Sequence, residues 1–164
     1  MRGKMGKKQQ LPDAVLFACN QNAIRSPMAE GILKHILGDK IYVDSCGLVA
    51  SEIDPFVLAV MNEINIDLSR HKAKSFDNLA DTSFSLIVAL TPESLECANE
   101  FTRAISVAVE YWPTPDPSDT TGSREHKLEA YRRVRDDLVK QIRQRFEAHA
   151  ETLLEPAKHV KQKP

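Results

Sequence analysis

One cysteine of this sequence stands where a thiol can act as a nucleophile. Cys19 ends a short apolar run, and Arg25 stands six residues later, directly before the Ser26-Pro27 pair that starts a predicted helix. The N–H groups of such a loop and of the helix start form a concave anion site, where Arg25 adds a bidentate contact to a tetrahedral oxyanion. The same positive surroundings favour the thiolate form of Cys19. We therefore predict a phosphate-binding loop made of Asn20, Gln21, Asn22, Ala23, Ile24 and Arg25.

A simpler interpretation of these residues is that Cys19 is a small buried side chain and Arg25 a surface charge. A cysteine and an arginine separated by five residues occur by chance in many proteins. Here the pair lies between an apolar run and a Ser-Pro helix start, which favours the anion site.

Short apolar runs alternate with longer segments of helical periodicity along the chain. Thr91 and Pro92 open one of these helices, as its cap and its first residue. The predicted strands cover residues 14–18, 41–44, 86–90 and 105–109, and the other helices cover 27–37, 54–65 and 124–154. Apolar strands separated by helices indicate an α/β fold, with a parallel sheet covered on both faces. Ligands bind such sheets at the carboxyl ends of the strands, which is where Cys19 lies.

The composition indicates a globular protein that binds neither nucleic acid nor membrane. The chain has 164 residues and a formal net charge of −1, so a large basic surface is not expected. No apolar run is long enough to span a bilayer. The three irregularly spaced cysteines suggest neither a disulfide framework nor a zinc site, and free thiols fit a reducing cytoplasm. No metal or other cofactor is predicted, and no feature decides the oligomeric state.

A single domain is expected over residues 13–155. Residues 1–12 are predicted to be a disordered N-terminal extension and residues 156–164 a flexible tail, because both ends are basic and lack an apolar core. No internal repeat or linker divides the domain.

Several segments of the sequence resemble the low-molecular-weight protein tyrosine phosphatases. They are residues 15–19, Asn22, and residues 25–30, 44–47, 67–71, 86–90 and 114–117. These segments follow the family's order and span the chain from about residue 13 to residue 145. The resemblance implies a four-stranded parallel sheet with the phosphate-binding loop after the first strand.

The resemblance also implies a two-step phosphomonoesterase that acts on phosphotyrosine. Cys19 would attack phosphorus and form a cysteinyl-phosphate, while Arg25 and the loop N–H groups stabilise the equatorial oxygens. Asp116, in an Asp-Pro loop, would protonate the leaving oxygen and then activate water. Asp119 is a competing candidate that lacks the Asp-Pro context. The expected substrates are phosphorylated proteins or small phosphomonoesters, and no metal is required because Arg25 and the N–H groups supply the positive charge.

Four polar residues match positions that support the loop in this family. The resemblance makes Ser26 a hydrogen-bond donor to the thiolate and places Asn22, Ser45 and His71 in a buried polar network. Taken singly, Ser26 would be a helix cap, Ser45 a strand end and His71 a loop residue. Their joint presence favours the network.

The sequence departs from the family pattern inside the loop. Gln21 replaces a glycine, and Ile24 stands where a second cysteine often protects the nucleophile as a disulfide. Cys46 lies near a family turn and could approach Cys19, but a buried structural role is the expectation for Cys46 and Cys97.

The cleft also lacks the aromatic side chains of the phosphotyrosine-specific members. Residues 48–51 read Leu-Val-Ala-Ser, and Ser118 follows the Asp-Pro pair. Tyr111 and Trp112 are candidates to replace these rings, although core packing is the expected role of both. Arginine-phosphate-selective relatives carry a threonine at the position of Ala23.

Two other functions fit the same loop. Arsenate reductases share the fold, but they pass a disulfide to two further cysteines on a mobile segment, and only Cys97 lies in the comparable region. Asp116 has no essential part in that chemistry. A phosphate-binding module with impaired catalysis is the non-enzymatic alternative, and the joint presence of Cys19, Arg25 and Asp116 argues against it.

Overall fold

The structure of the protein is a computed structural model that describes residues 11–79 and 83–162, with side chains up to Phe146. Apart from Leu11 and Pro12, the predicted N-terminal extension lies outside the described residues. The side chains of the predicted tail lie outside them as well, so both predictions remain untested. Within the described residues, no helix combines the length and the apolar character that a membrane crossing requires.

Four parallel strands form one sheet, which confirms the predicted fold class. They are β1 (Ala14–Cys19), β2 (Tyr42–Gly47), β3 (Leu86–Ala89) and β4 (Ala108–Tyr111), in the spatial order β2-β1-β3-β4. All residues of the central strands β1 and β3 are buried, as their apolar sequences require. The carboxyl end of β1 therefore lies in the middle of the sheet edge, with Cys19 as its last residue.

The two largest differences from the predicted strand boundaries are the end of β2 and the start of β4. β2 continues past Asp44 to Gly47, because Ser45 and Cys46 pair with β1 although Ser45 has the polarity of a strand end. β4 begins only at Ala108, since the N–H of Ile105 still closes a turn on the Thr102 carbonyl after the preceding helix. The apolar pattern of the sequence does not show where the turn after the helix ends and β4 begins.

Four helices cover the two faces of the sheet, as predicted. They are α1 (Arg25–Leu37), α2 (Pro55–Asn62), α3 (Pro92–Phe101) and α4 (Arg124–Gln162). The side chains of Val15, Phe17 and Cys19 enter the core that α1, α2 and α4 share, whereas Leu16 and Ala18 enter the smaller core against α3. α4 extends past the predicted end at residue 154 and contains a kink at Phe146.

Side-chain caps fix the starts of two helices beside the sheet edge. Asp54 caps α2 by accepting the N–H of Phe56 at 2.7 Å. Thr91 and Ser94 form a reciprocal capping box at the start of α3, as the Thr91-Pro92 pair predicted. Ser94 also donates to the Ala18 carbonyl at 3.1 Å, which ties α3 to the end of β1.

Gly47 allows the end of β2 to approach the loop that follows β1. A Cβ atom at this position would lie 2.7 Å from the backbone nitrogen of Asn22 and 2.7 Å from the carbonyl oxygen of Val49. Both contacts are with backbone atoms, which cannot turn away as a flexible side chain can. The close approach of the two segments therefore requires glycine here.

Gly47→Ala is expected to weaken phosphate binding by roughly tenfold or more, because the added methyl group must displace the backbone of the loop. Isothermal titration calorimetry with phosphate measures the effect. Gly31→Ala is the matched control, since its Cβ would meet the side-chain atoms Leu68 Cδ2 at 2.9 Å and Ile66 Cγ2 at 3.1 Å. Unchanged phosphate affinity in Gly47→Ala would show that the loop does not depend on this contact.

Candidate active site

The loop between β1 and α1 is held from its outer side through its carbonyl oxygens. Four of these oxygens accept N–H groups from the segment that follows β2. The pairs are Cys19 with Leu48 (3.2 Å), Asn20 with Val49 (3.1 Å), Gln21 with Ser51 (3.0 Å) and Ala23 with Asp54 (3.1 Å). The remaining carbonyl, that of Asn22, lies 3.1 Å from His71 Nε2. The carbonyls of residues 19–23 are thus all satisfied by other segments.

The N–H groups of the same loop remain available to an anion. Among the described residues, no acceptor takes the N–H groups of residues 20–25. Helix α1 starts at Arg25 with no side-chain cap at Ile24 and no acidic residue in its first turn. The positive end of the helix dipole therefore adds to the free N–H groups. This is the geometry expected of an oxyanion site.

Cys19 lies at the base of this loop, with 2% of its surface exposed. Its Sγ is 2.9 Å from Ser26 Oγ and 3.4 Å from the Ser26 backbone nitrogen. The hydroxyl of Ser26 also lies 3.2 Å from the Cys46 carbonyl oxygen. Its single proton can therefore turn to the sulfur when the thiolate forms. The structure places Ser26 where the predicted role requires it.

Arg25 reaches across the loop to the segment that carries the predicted acid. Its Nη1 donates to the carbonyl of Thr114 at 3.1 Å, and its Nη2 lies 3.9 Å from Asp116 Oδ2. Among the residues that the structure describes, no other acceptor binds this guanidinium, so its remaining N–H groups can bind an oxyanion. No contact joins Asp119 to the loop among the described residues. The structure thus brings Asp116, rather than Asp119, to the site.

Asn22 is the centre of a buried polar network behind the loop. It is fully buried with φ of +54°, a conformation that asparagine tolerates better than most residues. Its Nδ2 donates to Ser26 Oγ at 2.8 Å and to Ser45 Oγ at 2.9 Å, and its Oδ1 accepts the Lys74 N–H at 2.9 Å. Together with the His71 contact to the Asn22 carbonyl, this brings the predicted supporting residues into one cluster.

Three contributors to the site were not among the predicted residues. Glu30 accepts a hydrogen bond from the hydroxyl of Ser45. It lies four residues after Ser26 on α1, and this spacing is the sequence signal that could have identified Glu30 as part of the site. Lys74 binds Asp44 Oδ1 at 2.9 Å, and the Thr114 carbonyl binds Arg25. Both contacts join segments that are distant in sequence, and a backbone carbonyl carries no sequence signal at all.

The surroundings of His71 favour the neutral form of its imidazole. Burial lowers the pKa of its imidazole below the ordinary value, against the opposing effects of the Asn22 carbonyl and the Glu30 carboxylate. Because a carbonyl can only accept, Nε2 carries the proton that binds Asn22. Nδ1 is then unprotonated and lies 4.0 Å from Glu30 Oε1. His71 therefore supports the loop as a hydrogen-bond donor rather than as a cation.

The other two cysteines are poorly placed to react with Cys19. Cys46 is fully buried in the core against α3, on the face of the sheet opposite to the Cys19 side chain. Burial raises the pKa of the Cys46 thiol, and burial also raises the pKa of Cys97, which is half-buried on α3. Within residues 11–79 and 83–146, whose side chains the structure describes, no three His, Cys, Asp or Glu side chains are grouped as metal ligands.

The segment that follows β2 carries aliphatic side chains where the family resemblance implies an aromatic one. Leu48 and Val49 are 39% and 56% exposed, and their N–H groups bind the carbonyls of Cys19 and Asn20. Trp112 packs edge-on against Phe17 with ring centroids 6.0 Å apart, so it belongs to the core. The other candidate, Tyr111, is the exposed last residue of β4.

Comparison with known proteins identifies the family to which this arrangement belongs. Residues 14–163 match the family model described as low molecular weight phosphotyrosine protein phosphatase. The chain therefore belongs to the low-molecular-weight phosphotyrosine protein phosphatase family. Its relatives include an arsenate reductase of Halalkalibacterium halodurans, 33% identical over 130 residues that make up 79% of this chain and 91% of the relative. A glutaredoxin arsenate reductase of Synechocystis is 32% identical over 129 residues, or 78% and 92% of the two chains.

Solved structures of an arsenate reductase and of a tyrosine phosphatase share the fold of this chain. An arsenate reductase in its phosphate-binding state superposes with a TM-score of 0.70 and 28% identity, covering 83% of this chain and 98% of the other. The tyrosine phosphatase AmsI of Erwinia amylovora superposes with a TM-score of 0.69 and 21% identity, covering 84% and 93%. The family includes phosphatases and arsenate reductases, so membership indicates an enzyme of one of these kinds.

The buried imidazole of His71 is expected to make stability depend on pH. The unfolded chain binds a proton at His71 near the ordinary pKa of 6.5, whereas the folded protein binds it only at lower pH. The free energy of unfolding should therefore fall as the pH drops below about 6.5 and be unaffected by His71 above about pH 7.5. His71→Gln keeps a donor for the Asn22 carbonyl but cannot titrate. Urea unfolding from pH 7.5 to 5.5 should show a steeper loss for the wild type than for His71→Gln, and parallel curves would contradict this account.

Proposed function

We propose that this protein is a cytoplasmic phosphomonoesterase that hydrolyses phosphotyrosine through a cysteinyl-phosphate intermediate. The observation that supports the proposal best is the position of Asp116. A loop with a cysteine, an arginine and free N–H groups suits any oxyanion chemistry, but a carboxylate 3.9 Å from Arg25 Nη2 adds a proton donor for a leaving group. Cleavage of a phosphoester with a poor leaving group requires this proton donor.

In the first step, the thiolate of Cys19 attacks phosphorus while the bond from phosphorus to the ester oxygen breaks. Asp116 donates its proton to the departing oxygen, so the alcohol leaves neutral. The free N–H groups of residues 20–25 and the guanidinium of Arg25 stabilise the three equatorial oxygens of the transferred phosphoryl group.

In the second step, a water molecule attacks the phosphorus of the cysteinyl-phosphate. The Asp116 carboxylate takes one proton from this water, and the bond from sulfur to phosphorus breaks. Cys19 leaves as a thiolate, which the hydroxyl of Ser26 stabilises from 2.9 Å. Release of phosphate returns the site to its starting state.

The shape of the site supports an aryl ester as substrate. Cys19 is only 2% exposed, so the group that carries the phosphate must be long enough to reach the base of the loop. Leu48 and Val49 offer an exposed apolar wall beside this loop. An aliphatic wall can bury the face of a tyrosine ring, although it supplies no ring for stacking.

Arsenate reduction is the alternative that the 33% identical relatives suggest. Reduction of arsenate to arsenite requires two electrons, which the family's reductases take from thiols that form a disulfide. Here Cys46 points to the opposite face of the sheet, and Cys97 is half-buried in the helix α3. Thr91, at the start of α3, is held by its capping box and by a 2.7 Å hydrogen bond to Asn20 Oδ1. This arrangement favours the phosphatase.

The test is hydrolysis of p-nitrophenyl phosphate and of a phosphotyrosine peptide, with arsenate-dependent thiol oxidation measured in parallel. We expect turnover of both esters, no turnover in Cys19→Ser, and no arsenate reduction. Asp116→Asn should lower kcat/KM for phenyl phosphate by roughly 10²–10⁴-fold, and by less for p-nitrophenyl phosphate, whose leaving group needs little protonation.

Asp119→Asn is the matched control and should retain wild-type rates. Arsenate reduction without ester hydrolysis would assign the reductase activity instead. Phosphate binding with neither reaction would identify the protein as a binding module.

A further inference from the structure

Ser118 places a hydroxyl next to the carboxylate of Asp116, where the tyrosine-specific relatives carry an aromatic residue. Its backbone N–H donates to Asp116 Oδ1 at 2.9 Å, and its hydroxyl donates to the same oxygen at 2.7 Å. We propose that Ser118 is a positioning residue, which makes Oδ2 the oxygen of Asp116 that exchanges protons with the substrate and with water. This inference rests on the proposed phosphatase function.

The two oxygens of the carboxylate have different surroundings. Oδ1 accepts both donors of Ser118, so its lone pairs are engaged and it is the poorer site for a proton. Oδ2 has no such donor and lies 3.9 Å from Arg25 Nη2, on the side of the phosphate-binding loop. The proton of the neutral acid therefore resides on Oδ2, where it faces the ester oxygen.

Backbone contacts fix the turn that contains Ser118, so the Ser118 hydroxyl has a defined position next to Asp116. Pro117 is buried, and residues 117–119 form one turn of 3₁₀ helix that Asp116 caps. The N–H of Thr120 closes this turn on the Pro117 carbonyl at 3.1 Å. Ser118 itself is exposed, so replacing its side chain leaves the packing of the turn in place.

The same contacts hold Asp116 in position during both proton transfers. In the first step the bond from Oδ2 to hydrogen breaks as the ester oxygen takes the proton, and negative charge develops on the carboxylate. The Ser118 hydroxyl stays bound to Oδ1 during this transfer and so keeps Oδ2 facing the ester oxygen. In the second step Oδ2 takes a proton from the attacking water, while Oδ1 remains bound to Ser118. No other reactant is needed.

A structural role for Ser118 predicts a different result from a positioning role. If the hydroxyl only held the segment in shape, its loss would also disturb the Thr114 carbonyl that binds Arg25, and esters with any leaving group would lose rate alike. If it positions the acid, its loss affects only those esters whose leaving oxygen needs a proton. The dependence on the leaving group therefore separates the two roles.

The experiment measures kcat/KM for phenyl phosphate and for 2,4-dinitrophenyl phosphate in Ser118→Ala and Ser118→Thr. In Ser118→Ala, kcat/KM should fall roughly three- to tenfold with phenyl phosphate, as expected for the loss of one hydrogen bond. With the dinitrophenyl ester, kcat/KM should fall by less than about twofold. Ser118→Thr keeps the hydroxyl and should restore the rate with phenyl phosphate. Asp119→Asn, in the same turn, should match the wild type with both esters.

An equal loss with both esters, or no loss with either, would overturn the positioning role while leaving the phosphatase function intact. Failure of Ser118→Thr to restore the rate would also count against it. Absence of ester hydrolysis in the wild type is a separate outcome, which overturns the proposed function and this inference together.

Discussion

An anion can bind the loop after β1 only if the backbone N–H groups of that loop are free, and they are free only if its carbonyl oxygens find donors elsewhere. The segment from Leu48 to Asp54 supplies four of these donors, and His71 supplies the fifth. Gly47 permits the close approach that these contacts need. The oxyanion site is therefore built as much by the chain after β2 as by the loop itself.

The Asn22 side chain connects this backbone arrangement to the chemistry of Cys19. Its amide binds the hydroxyls of Ser26 and Ser45, and Ser26 in turn contacts the sulfur. All these groups are buried, and each group left without a partner costs about 1–3 kcal/mol. Any change that moves the loop therefore also disturbs the group that stabilises the thiolate, so binding and catalysis depend on one network.

The apolar and polar patterns of the sequence predicted the parallel sheet and the anion-binding loop, whereas the roles of Asp116, Ser45 and His71 came from the family resemblance. The sequence placed the start of β4 at Ile105, because the apolar residues Ile105 and Val107 continue the pattern of the strand although they precede it. Contacts between distant segments could not be predicted, and these include Lys74 with Asp44 and the Thr114 carbonyl with Arg25. The position of Ser118 was evident from the sequence, but its bond to Asp116 became visible only in the folded turn.

The central claim is that Cys19 carries the phosphoryl group between the two steps. Asp116→Asn lacks the base for the second step, so with 2,4-dinitrophenyl phosphate it should accumulate the intermediate. Rapid acid quench followed by intact-mass and peptide analysis is the direct measurement. The account predicts one phosphoryl group per chain, attached to Cys19 and absent from the Cys19→Ser, Asp116→Asn double variant. Ester hydrolysis with no covalent adduct, or an adduct on another residue, would contradict it.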